Sequence, residues 1–168
     1  MLVPGDGEGR NGIHLAQQGH QVLSVDVAAS GLRKAADEAR RRGVAIDTLQ
    51  ADLATWAPTP ESTDAVVLVF VHLPPALRPR VHRAMAGALR PGGLLVLEGF
   101  EREHFGRPSG GPRDPDWLFD EAQLTRDFDG LSTEALDVHE VDLDDGPFHQ
   151  GSARVIRGRW RKPGGPQN

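Results

Sequence analysis

Three glycines fall within five residues near the start of the chain, in Val3-Pro-Gly-Asp-Gly-Glu-Gly-Arg-Asn-Gly12. Gly5, Gly7 and Gly9 let a main chain turn sharply and let a ligand approach it closely. A helix starting near Arg10 would aim its unpaired amide N–H groups into the same space. The stretch is expected to cradle a ligand. Gly7, Gly9 and Gly12 also satisfy G-x-G-x-x-G, a spacing too common to decide by itself.

The charges in the loop narrow the choice. Asp6 and Glu8 alternate with the glycines. Beside a dinucleotide pyrophosphate, each unit-charge pair at 4 Å would repel by roughly 4 kcal/mol at an effective dielectric near 20. S-adenosylmethionine (SAM) carries an ammonium and a sulfonium that suit these carboxylates, and its own carboxylate can take the helix N-terminus. This disfavours an NAD(P)-dependent oxidoreductase. The lack of a following Gly-Lys-Ser/Thr argues against a Walker-type phosphate loop. Asp26 lies seventeen residues past Gly9, at the end of the apolar stretch Gln21-Val-Leu-Ser-Val25. An acid there accepts hydrogen bonds from the ribose hydroxyls of an adenosine-containing ligand.

Were such a sulfonium to give up its methyl group, the reaction would be an in-line displacement, and a protein serving it would mainly align donor and acceptor and exclude water. A base is needed only where the acceptor must lose a proton. His72, after the apolar run Ala65-Val-Val-Leu-Val-Phe-Val71, is the first candidate, because an imidazole titrates near neutral pH. His104 and Glu98 rank second, and His149 is a remoter candidate. The seven histidines form no H-x-x-x-H pair and no compact His/Asp triad, so no metal is expected.

These residues need a scaffold of alternating strands and helices. The first helix is expected over Arg10 to Gln18, closed by Gly19. An amphipathic helix should span Ala28 to Arg42, with Leu32, Ala35, Ala36 and Ala39 inward. Val44 to Gln50 reads as a third strand and Ala65 to Val71 as a central strand buried on both faces. Pro74 and Pro75 should open a helix with Leu77, Val81, Ala84, Met85, Ala88 and Leu89 on one stripe. Leu94 to Leu97 reads as a fifth strand. Residues 101–117 form a long loop beyond that strand, a position that favours function. A short helix is expected over Asp120 to Phe128. Leu136, Val138, Val141 and Leu143 lie on a strand whose inward face switches near His139 and Glu140, as at a bulge. Asp145-Gly146 reads as a hairpin turn, with Ser152 to Arg161 returning antiparallel and Ile156 and Trp160 on one face. The expected architecture is an α/β, Rossmann-like, mostly parallel sheet closed by an antiparallel hairpin. Residues 1–162 should form a single domain, and 163–168 a flexible tail.

Composition is consistent with this. A chain of 168 residues can bury a core. A net charge of −5 does not favour a nucleic-acid partner. With no cysteine, disulfides and thiolate chemistry are excluded. No apolar run reaches the roughly 18 residues of a membrane span, so a cytoplasmic monomer or homodimer is expected. Arg154, Arg157, Arg159 and Arg161 read as a solubility device on a strand near the sheet edge.

The sequence resembles the class I SAM-dependent methyltransferases, most closely the small bacterial branch related to tellurite-resistance methyltransferases. The matching stretches are Gly5-Asp-Gly-Glu-Gly-Arg-Asn11, Leu23-Ser-Val-Asp26, Ala51-Asp-Leu53, Val71-His-Leu-Pro74, Leu89 to Phe100 and Gly110-Gly-Pro112. The resemblance implies a seven-stranded sheet of order 3-2-1-4-5-7-6 and SAM as cofactor. It implies that Gly5, Gly7 and Gly9, with Asp6 and Asn11 in the same motif, form the methionyl pocket, and that Asp26 holds the ribose. Val27 would pack on the adenine, Asp52 would accept from its exocyclic amine with Leu53 alongside, and Phe70 would lie under the cofactor. Two departures stand out. Val3 occupies a position where the family often has an acid, and the chain begins inside the first strand, where the family usually has a preceding helical segment. That implies either an upstream start or an open, weaker site. The implied function is methyl transfer to a small molecule, with a non-catalytic SAM-binding protein as the alternative.

Overall fold

Residues 1–144 and 150–165 are described by a computed structural model. The expected hairpin turn at Asp145-Gly146, His149 and the tail end 166–168 lie outside the described residues. One seven-stranded sheet runs in the order β3-β2-β1-β4-β5-β7-β6, as the resemblance implied. The strands are β1 (Leu2–Pro4), β2 (Leu23–Asp26), β3 (Asp47–Gln50), β4 (Thr63–Val69), β5 (Leu89–Phe100), β6 (Ser132–Asp144) and β7 (Gln150–Arg161). β1 to β5 pair in parallel, and β7 lies antiparallel between β5 and β6.

The helices are α1 (Arg10–Gln17), α2 (Ala29–Arg41), α3 (Arg78–Ala88) and α4 (Glu121–Asp127). Alternation along the strands assigns them to layers. Val66, Leu68, Leu95 and Leu97 pack with Val81 and Met85 of α3 and Leu124 of α4. Val3 packs instead with Ala16 of α1, and Val67 joins that second cluster. Successive side chains on a strand point to opposite faces, so α1 and α3 cover opposite sides of the sheet.

Several expected boundaries shift. β4 stops at Val69 because Phe70 takes φ 53, a left-handed conformation that ends the ladder. Pro74 and Pro75 form a turn ahead of α3, closed by Leu77 N–H donating to Pro74 O at 2.8 Å. β5 starts at Leu89, since Arg90 to Gly93 continue in the sheet. The face switch at His139 and Glu140 needs no bulge: pairing runs unbroken from Ala135 to Asp144, and the irregularity lies between Thr133 and Ala135. Leu136 and Val138 pack into the core with α3 and α4, whereas Val141 and Leu143 pack with Phe100 and Leu118. The strand is long enough to serve two clusters on opposite faces.

A buried ionic group ties α3 to α4. Asp127 Oδ2 accepts from Arg78 Nε and from His82 Nδ1, both at 2.8 Å. Burial, opposed by the Asp127 carboxylate, holds His82 below the ordinary histidine range. The neutral ring stacks on Phe128 with centroids 4.8 Å apart.

Candidate cofactor site

The carboxyl ends of β1 to β4 bring the expected site residues together. Gly5, Gly7 and Gly9 have φ of 67, 56 and 84, so the loop turns three times through backbone space that side chains rarely enter. Gly5 N–H donates to Val25 O at 2.7 Å, docking the loop on β2. A Cβ at Gly7 would meet nothing within 4 Å, whereas one at Gly9 would come within 2.6 Å of the Ala35 Cβ. Gly7 therefore lines open space. Gly9 is expected in the same pocket but instead seats α1 against α2.

Asp26 ends β2. Its Oδ2 accepts from Gly7 N–H at 2.9 Å and its Oδ1 from Ala28 N–H at 2.8 Å. A carboxylate offers about four lone-pair sites, so two remain for a diol. Next to it Val27 is 63% exposed, one of two large apolar side chains so open among the described residues. Gln50 Nε2 donates to Val27 O at 3.2 Å and holds that main chain in place. Asp52 is exposed, with Oδ1 accepting from Ala54 N–H at 2.8 Å, and Leu53 beside it is half-buried. Arg80 from α3 donates to Leu53 O and Ala54 O and anchors this turn. Phe70 is half-buried, donates its N–H to Glu98 O at 2.7 Å and packs on Phe100 at 4.7 Å between centroids. A left-handed phenylalanine costs about 1–2 kcal/mol, here offset by those contacts.

Neither acid of the loop faces the ligand side as expected. Asp6 is turned inward, 6% exposed, and accepts from Ser24 Oγ at 2.5 Å and from Gly12 N–H at 3.2 Å. Glu8 reaches across to Lys34 of α2 at 2.6 Å. Asn11 contributes its backbone N–H to Asp6. The charge argument that set SAM against a pyrophosphate therefore loses both its carboxylates. Ser24 was not anticipated; a single hydroxyl inside Val22-Leu-Ser-Val25 was the signal available.

The three candidate acid–base residues are engaged elsewhere. His72 Nε2 accepts from Phe100 N–H at 3.1 Å, so the proton sits on Nδ1, which donates to Trp117 O at 3.0 Å. His104 has the opposite tautomer: Nδ1 accepts from Arg154 N–H at 3.1 Å and Nε2 donates to Gly110 O at 3.0 Å. Burial, and secondarily the Arg107 guanidinium, hold its pKa down against that Gly110 bond and the nearby Glu140 and Glu101. Glu98 Oε2 accepts from Arg157 Nε at 2.6 Å. Each histidine clamps main chain on the long segment after β5, which holds two 3-10 turns at Arg102–His104 and Pro115–Trp117. That segment is also fastened by Ser109 Oγ donating to Ser152 O at 2.6 Å and by Arg107 on Glu140. The expected loop is a bound strap.

Two surface clefts lie away from Asp26, Asp52 and the candidate acid–base residues. One of about 520 Å³ runs between α1 and α2, lined by Glu8, Lys34, Asp37 and Arg41, and one of about 480 Å³ lies at the opposite end of the sheet, around Leu49 and Trp56. The ordering of the glycine loop, Asp26 and Asp52 on adjacent strand ends is the better guide, since α/β sheets bind ligands where the strand order reverses, here between β1 and β4.

A mostly parallel sheet of this order, with a glycine loop at the end of β1 and an acid at the end of β2, defines the Rossmann-like cofactor-binding class. Within that class, residues 2–93 match the family described as "Methyltransferase domain", and the chain belongs to that family. S-adenosylmethionine is the family's cofactor; the open Gly7 leaves room for its methionyl end, and the spare lone pairs of Asp26 and the bare Val27 fit its adenosine. The chain is 34% identical over 104 residues to the tRNA 5-carboxymethoxyuridine methyltransferase of Escherichia coli (strain K12), covering 58% of this chain and 38% of that protein. It is 28% identical over 167 residues to thiocyanate methyltransferase 1 of Arabidopsis thaliana, covering 96% of this chain and 68% of that one. The chain thus spans under two fifths of the bacterial relative's length. The fold superposes on TehB from Haemophilus influenzae with a TM-score of 0.76 at 18% identity, over 96% of this chain and 57% of that one.

Proposed function

We propose that the protein transfers the methyl group of S-adenosylmethionine to a small-molecule acceptor by in-line displacement. The observation that carries this is the junction at Gly7 and Asp26, a carboxylate bound to the loop amide with open space above it and the exposed Val27 beside it. In this reading Gly5 and Gly7 line the methionyl end, Asp26 accepts from the ribose diol, Val27 and Leu53 flank the adenine, Asp52 accepts from its amine, and Phe70 packs beneath. When bound, the cofactor supplies an electrophilic methyl group.

The engagement of His72, His104 and Glu98 bears on the acceptor. Both ring nitrogens of each histidine serve main chain, and Glu98 serves Arg157. These engagements favour an acceptor that is already nucleophilic at neutral pH, such as a thiolate, a carboxylate or a small inorganic anion. The name of the Arabidopsis relative, a thiocyanate methyltransferase, fits that class. A transfer RNA, named for the Escherichia coli relative, is less favoured: Arg154, Arg157, Arg159 and Arg161 each pair with a glutamate, leaving those cations engaged and not arrayed for phosphates.

Titration calorimetry with SAM, S-adenosylhomocysteine and NAD tests the cofactor, and turnover against a panel of anionic acceptors tests the class. Micromolar binding of both sulfur ligands without NAD is expected. Retention of NAD alone would overturn the reading. Binding of SAM without turnover on any acceptor would favour a non-catalytic SAM-binding protein.

A further inference from the structure

We propose that Asp6 is a positioning residue, which holds the glycine loop from beneath and sets the direction of the Gly7 amide and hence of Asp26. The inference rests on reading this loop as the cofactor cradle. Asp6 sits between two residues of positive φ, Gly5 and Gly7, and this pair of turns drives its side chain into the protein while leaving the outer edge of the loop bare. Inside, the carboxylate gathers three elements. Oδ2 takes the Ser24 hydroxyl from the middle of β2, Oδ1 takes Gly12 N–H, and Asn11 N–H of the first turn of α1 also points at it. The Asp6 carbonyl accepts from Gly9 N–H at 2.9 Å, so both ends of the residue are tied.

The fit around the carboxylate is close. A Cβ at Gly12 would collide with Asp6 Oδ2 and Ser24 Oγ, and one at Gly31 of α2 would come within 2.8 Å of Gly7 O. One peptide further on, Gly7 N–H donates to Asp26 Oδ2 at 2.9 Å. The planar peptide between residues 6 and 7 makes that amide follow any movement of Asp6.

Packing alone does not explain a carboxylate at this position. Burial raises its pKa, and Asp26 adds to that, whereas a small neutral side chain would be free of the cost of desolvating a charge. What the charge adds is a set of strong, directed bonds to amides at the positive end of α1. It also uses up the Asn11 and Gly12 amides. The carboxylate of SAM, expected to lie on this helix N-terminus, is displaced from those two groups, and the cofactor is held at the Gly7 edge of the loop.

The test uses Asp6→Asn and Ser24→Ala in the full chain, read by amide hydrogen exchange and by calorimetry with S-adenosylhomocysteine. In Asp6→Asn the amides of Gly7 and Gly12 are expected to exchange at least about tenfold faster, with those of β4 and β5 unchanged and the dissociation constant up by about tenfold. Ser24→Ala should move both readouts the same way by less, and the double variant should be no worse than Asp6→Asn, because the two groups form one bond. Unchanged loop exchange in Asp6→Asn, or equal acceleration throughout the sheet, would overturn the proposal. If Asp6→Asn does not fold, Ser24→Ala carries both readouts. Should the unaltered protein itself fail to bind S-adenosylhomocysteine, the cofactor reading falls, while the exchange comparison still decides the role of Asp6.

Discussion

His72 shows how a residue type can indicate one role and its hydrogen bonds another. An imidazole at the tip of a central strand reads as a base, yet its Nε2 holds the end of β5 and its Nδ1–H holds Trp117. The ring also stacks on Phe119 at 4.6 Å between centroids. A glutamine can imitate part of this, with an acceptor and a donor at its end. His72→Gln is therefore expected to keep methyl transfer, to leave the pH profile of turnover unchanged in shape, and to lower the melting temperature. Disappearance of an ionisation near neutrality from the profile of the variant would restore His72 as the base. The same logic covers His104, whose Nδ1 holds the strap to β7 at Arg154 and whose Nε2–H closes the strap on Gly110 O.

At the scale of elements, the three glycines of the loop divide two tasks. Gly9 gives up its side chain so that α1 can approach α2, with Ala35 filling the gap. Gly9→Ala should therefore cost about 2–5 kcal/mol, the sum of a left-handed backbone penalty and overpacking. Gly7 has free space, so Gly7→Ala should cost about 1–2 kcal/mol of stability from its φ alone. Its larger effect should fall on cofactor affinity, because the new methyl group enters the open space that the cofactor is proposed to fill. Urea unfolding and calorimetry on the two variants separate these effects; wild-type affinity in Gly7→Ala would place the ligand elsewhere.

Across the whole molecule, burial sets how stability responds to acid. His82 and His104 are both held by burial below the ordinary histidine value of about 6.5. Above about pH 6.5 both folded and unfolded chains carry them neutral, and their contribution is complete. As pH falls below that value the unfolded chain takes up protons that the folded chain resists, so stability is lost progressively through the lowered folded pKa values. Asp6 acts in the opposite sense, since its raised pKa lets the folded state take a proton more readily than the unfolded chain. Its contribution partly offsets the loss at the acid end. The urea midpoint is expected to fall between about pH 7.5 and about pH 5, less steeply in His104→Gln. A flat midpoint would mean that neither imidazole is kept neutral by the fold.

The alternation of strand with helix, the glycine loop and the acid ending β2 were legible in the sequence because each rests on local pattern, apolar runs and glycine spacing, whereas the strand order came from the family resemblance. The sequence by itself also placed Asp26 and Asp52 at strand ends, since chain position along a parallel sheet determines which end a residue occupies, while Val27 and Phe70 came with the resemblance. Only the tertiary structure decided where the side chains point. Asp6 and Glu8 read alike in sequence, yet two positive-φ neighbours turn Asp6 inward to Ser24, while Glu8 meets Lys34 on a helix twenty-six residues away. His72 and His104 read as free imidazoles until strands and strap close around them and use both nitrogens of each. Such partners lie far apart in the chain, and their hydrogen bonds exist only once the sheet has brought them within reach.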